Sequence, residues 1–193
     1  MKYKKYQVIR EANPAFTLNQ IGKIAFNRAK ADERYQQLEI ITVQLICALT
    51  MEAVFNHLGK KLFEDWERVE RSLKPKDKLK MIAHHTGLEI DLGSRPFQFL
   101  PEIFGFRDSL VHAKYSKLSA STISEGEIDE NGFPIVQSVH ELLTDWEKLC
   151  SMETAEKWRR AIESISSVLL EAAKCQDPIK VEGPIDTWGE LEP

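Results

Sequence analysis

The stretch Met152–Lys174, METAEKWRRAIESISSVLLEAAK, places apolar residues at Ala155, Trp158, Ile162, Ile165, Leu169 and Ala172. Steps of three and four put all six on one face of an α-helix, the clearest periodicity in the chain. A helix of this kind must bury that face against other elements, and the surrounding sequence offers helices to receive it.

Working outward, Val139–Cys150 reads as a further helix, and Ser119–Ser138 as a long polar loop or a short hairpin turning at Asn131-Gly132. Leu100–Lys117 reads as a helix with Ile103, Phe106, Leu110 and Ala113 on its core side. Before it, Gly87–Phe97 is loop, and Pro75–Thr86 is a helix opened by proline and stopped at Gly87. Ala31–Phe63 reads as one unusually long helix, with a stripe of Leu38, Ile41, Leu45, Leu49, Phe55 and Phe63. Thr17 and Gln20 form a capping box that opens a short helix to about Arg28. The expectation is an all-α, up-and-down helical bundle of four to five main helices with a polar loop or short hairpin inserted. It divides into an N-terminal arm and short helix (1–30), the bundle (31–176) and an extended C-terminal tail (177–193), with Trp188 available to anchor the tail.

The composition suits this reading. Of 193 residues, 42% are hydrophobic and 29% charged, enough apolar surface for one ordinary core. The 26 basic and 30 acidic residues give a net charge of −4, which argues against a general nucleic-acid coat or a membrane-surface protein while leaving room for a local basic site. Cys47, Cys150 and Cys175 form no CxxC and read as reduced thiols, so the chain is expected to be cytoplasmic. Met1–Pro14 has lysines but no apolar run after them, and is not expected to act as a signal peptide. The longest charge-free stretch, Ile40–Met51, falls short of a bilayer span, so no membrane is expected.

Two places break the apolar pattern. On a helical projection Glu52 falls within about 20° of Leu45, with Asn56 on the same stripe. A carboxylate and an amide on a core-facing stripe need partners, either as a structural network or as a polar pocket feeding a site. The second break is Arg107-Asp108-Ser109-Leu110-Val111-His112. Arg107 sits at the edge of the core face, while Asp108 and His112, four residues apart, lie nearly opposite the core with Val111 between them. Asp108 is placed to hydrogen-bond the imidazole and fix its tautomer, and Arg107 to join that patch or turn back toward Glu52. The alternative is a solvated helix face with an incidental histidine.

The string R-D-S-L-V-H resembles the R-x4-H signature of HEPN domains, the higher eukaryote and prokaryote nucleotide-binding family. The order of elements is similar too: a long early helix containing Ala48–His57, a connecting helix, the motif helix and a long closing helix. The resemblance covers roughly residues 31–174. It implies a bundle that pairs as a homodimer through the motif helices and, in active members, a composite metal-independent ribonuclease site. Carried over, Arg107 would stabilise charge on the phosphorane and His112 would act as general acid or base. The family pattern often has Asn after the arginine. Here it is Asp108, a carboxylate that repels phosphate unless paired, with Lys114, Lys117 and Arg95 available to compensate. RNA supplies its own nucleophile, the 2′-OH, so products would end in a 2′,3′-cyclic phosphate. Many members of the family are noncatalytic binding or partner modules, so the alternative expectation is a catalytically silent module that binds a protein partner or a nucleotide. A third is one half of a toxin–antitoxin or defence system, which concerns context more than chemistry.

No cofactor or metal is implied. His57, His84, His85 and His112 lack HExxH spacing, and no P-loop or G-x-G-x-x-G occurs. Phe97, Phe99, Phe104 and Phe106, clustered before the motif, read as core or dimer contacts rather than base-stacking residues.

Overall fold

Four of the helices begin or end where local chemistry dictates. In a computed structural model, residues 6–11, 14–112, 130, 143–175 and 185–190 are described, with side chains for 14–112, 130 and 143–175. The helices are α1 (Pro14–Ala31), α2 (Gln36–Leu62), α3 (Trp66–Val69), α4 (Pro75–Thr86), α5 (Leu100–Val111) and α6 (Met152–Ala172). Five of these are long, so the bundle is all-α as the sequence implies.

Ser151 caps α6, its hydroxyl accepting from the Thr154 N–H at 3.1 Å. Proline opens α4 and Gly87, at φ +69°, ends it in the left-handed conformation that glycine adopts without strain. The capping box expected at Thr17–Gln20 is not used, because α1 already starts at Pro14, a residue suited to a first helical turn. The long helix expected over Ala31–Phe63 is interrupted. Asp32 accepts from the Arg34 N–H at 3.0 Å and holds Glu33–Tyr35 in a single 3₁₀ turn, so α2 starts at Gln36.

The α2 helix is the hub, packing against α1, α4, α5 and α6. Its buried face runs through Ile40, Val43, Cys47, Met51, Val54 and Leu58. The expected stripe is met only in part: Phe55 is buried and Phe63, Ile41 and Leu45 are half-buried, but Leu38 is 64% and Leu49 41% exposed. A helix with four neighbours buries most of its circumference, and its apolar pattern no longer selects one face. By length and composition Glu33–Leu62 is apolar enough to cross a membrane, since its most apolar 18-residue stretch carries no more than two charges; 56% of that stretch is buried within the bundle.

The closing helix behaves as its periodicity requires. Ala155, Trp158, Ile162, Ile165 and Leu169 are all buried. Trp158 meets Phe106 of α5 edge-on at 5.4 Å, and its indole N–H donates to Glu102 Oε2 at 2.9 Å. Arg159 lies 5.1 Å above the Phe26 ring of α1, whose Ala15, Ala25, Phe26 and Ala29 belong to the same core.

Three other expectations change. The helix expected to reach Lys117 has its last turn at Val111, with His112 as C-cap, and 113–117 lie outside the described residues. Leu143–Cys150 is not α-helical but a turn leading into a 3₁₀ turn at Glu147–Leu149, organised by Glu147, whose carboxylate accepts from Thr144 N–H at 2.7 Å and Thr144 hydroxyl at 2.6 Å. Part of the extended tail, β2 (Ile185–Glu190), pairs antiparallel with β1 (Tyr6–Glu11), with Trp188 opposite Val8. The insertion Ser119–Ser138, apart from Glu130, and the side chain of Trp188 lie outside the described residues.

Candidate functional site

The polar residues singled out on α2 and α5 meet where the two helices pack. Phe104 of α5 lies 6.1 Å from Phe55 of α2, and one turn further along α5 Arg107 comes to Glu52. Arg107 NH1 donates to Glu52 Oε2 at 2.6 Å, with the guanidinium 5.4 Å from the Phe104 ring. The other edge of the guanidinium turns to Asp108: Nε is 2.9 Å and NH2 2.8 Å from Asp108 Oδ1.

A fourth group completes the cluster. Lys78 of α4, only 3% exposed, donates to Asn56 Oδ1 at 2.7 Å and stands 3.5 Å from Glu52 Oε1. Each oxygen of Glu52 thus faces a different cation. Two cations and two carboxylates leave the cluster formally neutral. The Arg107 side chain is 19% exposed and Asp108 52%, so the network is buried at the Lys78 end and open to solvent at the Asp108 end.

The paired polar residues Glu52 and Asn56 therefore have partners, as their position demanded. Sequence reading missed Lys78. Its signal was present, since it lies about 40° around the helix from Ile82, on the buried side of α4. Its neighbours Lys74, Lys76 and Lys80 concealed it by making the whole segment look solvated.

His112 has a different setting. Its backbone N–H donates to the Asp108 carbonyl at 3.1 Å, closing α5, and the residue is exposed. Among the described residues its ring makes no hydrogen bond; Asp108 is turned to Arg107 instead. The Asp108 carboxylate gains from the guanidinium a bond that is charge-assisted at both ends and reaches it from two nitrogens. Val111, beside His112, is 67% exposed. Arg107, Asp108 and His112 thus occupy one end of α5, while Lys114 and Lys117 lie outside the described residues.

Chemically, the Arg107 guanidinium has both hydrogen-bonding edges engaged. An incoming phosphate meets it only by displacing Asp108, the more exposed of its two carboxylates. Glu52, held between Arg107 and Lys78, is the one that keeps the arginine in place.

The remaining candidates resolve simply. Phe97 and Phe106 are core residues. Cys47 is fully enclosed and burial pushes its thiol up to about 12, while burial, helped by Glu147, pushes Cys150 to about 11; neither is an activated nucleophile. Among the described residues no group of three or more His, Cys, Asp or Glu side chains is arranged to hold a metal. No protein-family model, curated protein or solved structure matches this chain.

Proposed function

We propose that the chain is a HEPN-like protein that cleaves RNA without a metal, at a composite site formed where two copies bring their α5 ends together in the cytoplasm. The observation that carries this reading is the exposed end of α5, where the His112 ring stands without a partner among the described residues, beside the uncovered Val111 and five residues from Arg107. A single chain offers one imidazole there. Two chains offer two, which is what the reaction needs.

One His112 takes the proton of the RNA 2′-OH as its oxygen attacks the adjacent phosphorus. Arg107, freed from Asp108, faces the negative charge that builds on the phosphorane oxygens. The second His112 gives a proton to the departing 5′ oxygen. The P–O5′ bond breaks, and the products are a 2′,3′-cyclic phosphate and a 5′-hydroxyl. DNA, lacking the nucleophile, is not cut. Lys114 and Lys117 would add phosphate contacts beyond the motif.

A second reading has its own support. Arg107 is engaged by two carboxylates, and Glu52 and Lys78 tie it into the bundle. In that reading the arginine is structural and the protein is a catalytically silent module for a protein partner or a nucleotide, of the sort found in toxin–antitoxin or defence systems.

Incubating the purified protein with mixed-sequence RNA in EDTA, with His112→Ala alongside, separates the two. Cleavage by the unmutated protein alone, leaving cyclic phosphate ends, supports the ribonuclease. Cleavage that survives loss of His112 or needs added metal overturns it. A folded, dimeric protein by light scattering that cuts nothing leaves the binding module.

A further inference from the structure

The outward face of α4 carries Lys76, Lys80 and His84, each four residues after the last and all exposed. Successive members are therefore about 6 Å apart along the helix axis and point the same way. Among the described residues none of the three enters an ion pair or a side-chain hydrogen bond, unlike Lys60, Lys78 or Lys148. In a chain of net charge −4, Lys76 and Lys80 are thus two exposed cations one turn apart that no described carboxylate pairs, with His84 continuing their ridge.

The ridge has a hollow on each side, and Lys80 borders both. One, of about 300 Å³, is lined by Phe63, Met81, His84 and His85 with Lys80 at its rim. There the Phe63 and His85 rings meet edge-to-face at 4.9 Å. The other, of about 160 Å³, has an aliphatic floor of Leu79, Ala83, Ile90 and Leu92 between Lys76 and Lys80. Two cations one helical turn apart, with an aromatic hollow beside them, match a polyanion that carries planar rings. An acidic peptide answers the charges but leaves the Phe63–His85 hollow without a use.

We propose that this face of α4 binds single-stranded nucleic acid, Lys76 and Lys80 contacting successive phosphates and the Phe63–His85 hollow receiving a base. It deepens the ribonuclease reading, which it rests on for the identity of the strand as RNA, by giving the substrate a holding surface apart from Arg107 and His112. The two ideas fail separately, because binding here needs no 2′-OH.

The test is fluorescence anisotropy of the full chain with a labelled 2′-O-methyl oligouridine in EDTA, a strand with no nucleophile and therefore uncleavable. The expected result is salt-sensitive binding whose log–log salt slope falls by about 1.4 in the Lys76→Ala/Lys80→Ala variant, two phosphates at about 0.7 each, with affinity about tenfold weaker. Phe63→Leu, which keeps an apolar side chain on Trp66, should weaken binding about tenfold without changing the slope. Three results overturn the proposal: no binding by the unmutated protein at low salt, an unchanged slope in the double variant, or equal competition by a polyglutamate peptide. Binding that meets these expectations in a protein that fails to cut ordinary RNA removes the ribonuclease and keeps the surface; cleavage without it does the reverse.

Discussion

Arg107 donates to Glu52 at 2.6 Å across 55 residues of sequence, and this bond adds a polar tie between α5 and the hub helix α2 to their Phe104–Phe55 contact. Glu52 is 29% exposed, so the pair ranks between a surface ion pair and a buried one. Arg107→Ala should cost about 2 kcal/mol and lower Tm by about 4–8 °C. A double-mutant cycle with Glu52→Gln, read by thermal circular dichroism, should return a coupling of about 1 kcal/mol or more. A coupling near zero means the arginine is held by Asp108 alone.

Lys78 is the most buried cation of the network, and its loss should be felt more than that of any other. Lys78→Ala removes the partner of Asn56 and one of the two cations on Glu52, and empties the space of the aliphatic stem. About 3 kcal/mol of stability should go. Lys78→Met restores the packing without the charge and should recover part of it, which denaturant unfolding with an unchanged m-value would show. If both variants lose the same amount, the charge matters and the packing does not.

Acid should loosen the segment before α6 through Glu147. Its side-chain bond from the Thr144 hydroxyl, and then the bond from the Thr144 backbone N–H, hold its carboxyl below the ordinary value of 4.5. A carboxylate whose folded value is lowered stabilises fully above its unfolded value and loses that contribution as pH falls through the folded one. Glu147→Gln should therefore lower Tm at neutral pH, and the gap to the unmutated protein should close below pH 4.5. A gap that persists unchanged into acid would show that shape, rather than ionisation, is what Glu147 supplies.

Gly59 sits in the last full turn of α2, with the Trp66 ring folded over it. Helix propensity alone favours alanine there by about 1 kcal/mol. A Cβ on Gly59, however, would overlap Cδ2, Cε2 and Cζ2 of an indole that is 1% exposed and has nowhere to go. Overlap wins: Gly59→Ala should destabilise by about 1–3 kcal/mol and shift Trp66 fluorescence to the red. A stabilised variant would mean the indole swings aside freely.

These residues also show why parts of the molecule were legible in sequence. The α6 helix lies along one side of the bundle, so its apolar residues fall in a single stripe and Ala155 to Leu169 could be read directly. The bounds of α4 were equally plain, because Pro75 and Gly87 act locally. The central α2 helix has neighbours on most sides, and apolarity all round hid the buried line from Ile40 to Leu58 while promoting the exposed Leu38 and Leu49. The break at Asp32 was missed because it depends on a carboxylate folding back onto its own backbone, a contact that leaves no periodic trace. At the site, Glu52 needed a partner and Arg107 was in reach, yet that Asp108 would choose Arg107 over His112 depended on geometry that spacing alone does not set.

That choice by Asp108 gives the sharpest contrast between the two readings of function. If Arg107 must release Asp108 to face an RNA phosphate, the carboxylate competes with substrate for the guanidinium and also repels it. Asp108→Asn keeps the shape, gives up the charge and weakens the hold on Arg107, while the Glu52 bond remains to keep the arginine oriented. For a ribonuclease, KM for RNA should fall several-fold, with a smaller change in kcat, since the ground state and the transition state gain alike from removing a competitor. For a silent module the same substitution should leave RNA binding untouched. Stability should drop by less than about 1 kcal/mol, because the Asp108 side chain is half exposed. Tighter RNA binding with stability nearly intact would place substrate at Arg107; a loss of binding would mean that Asp108 takes part in holding the strand, and that the phosphate lies elsewhere.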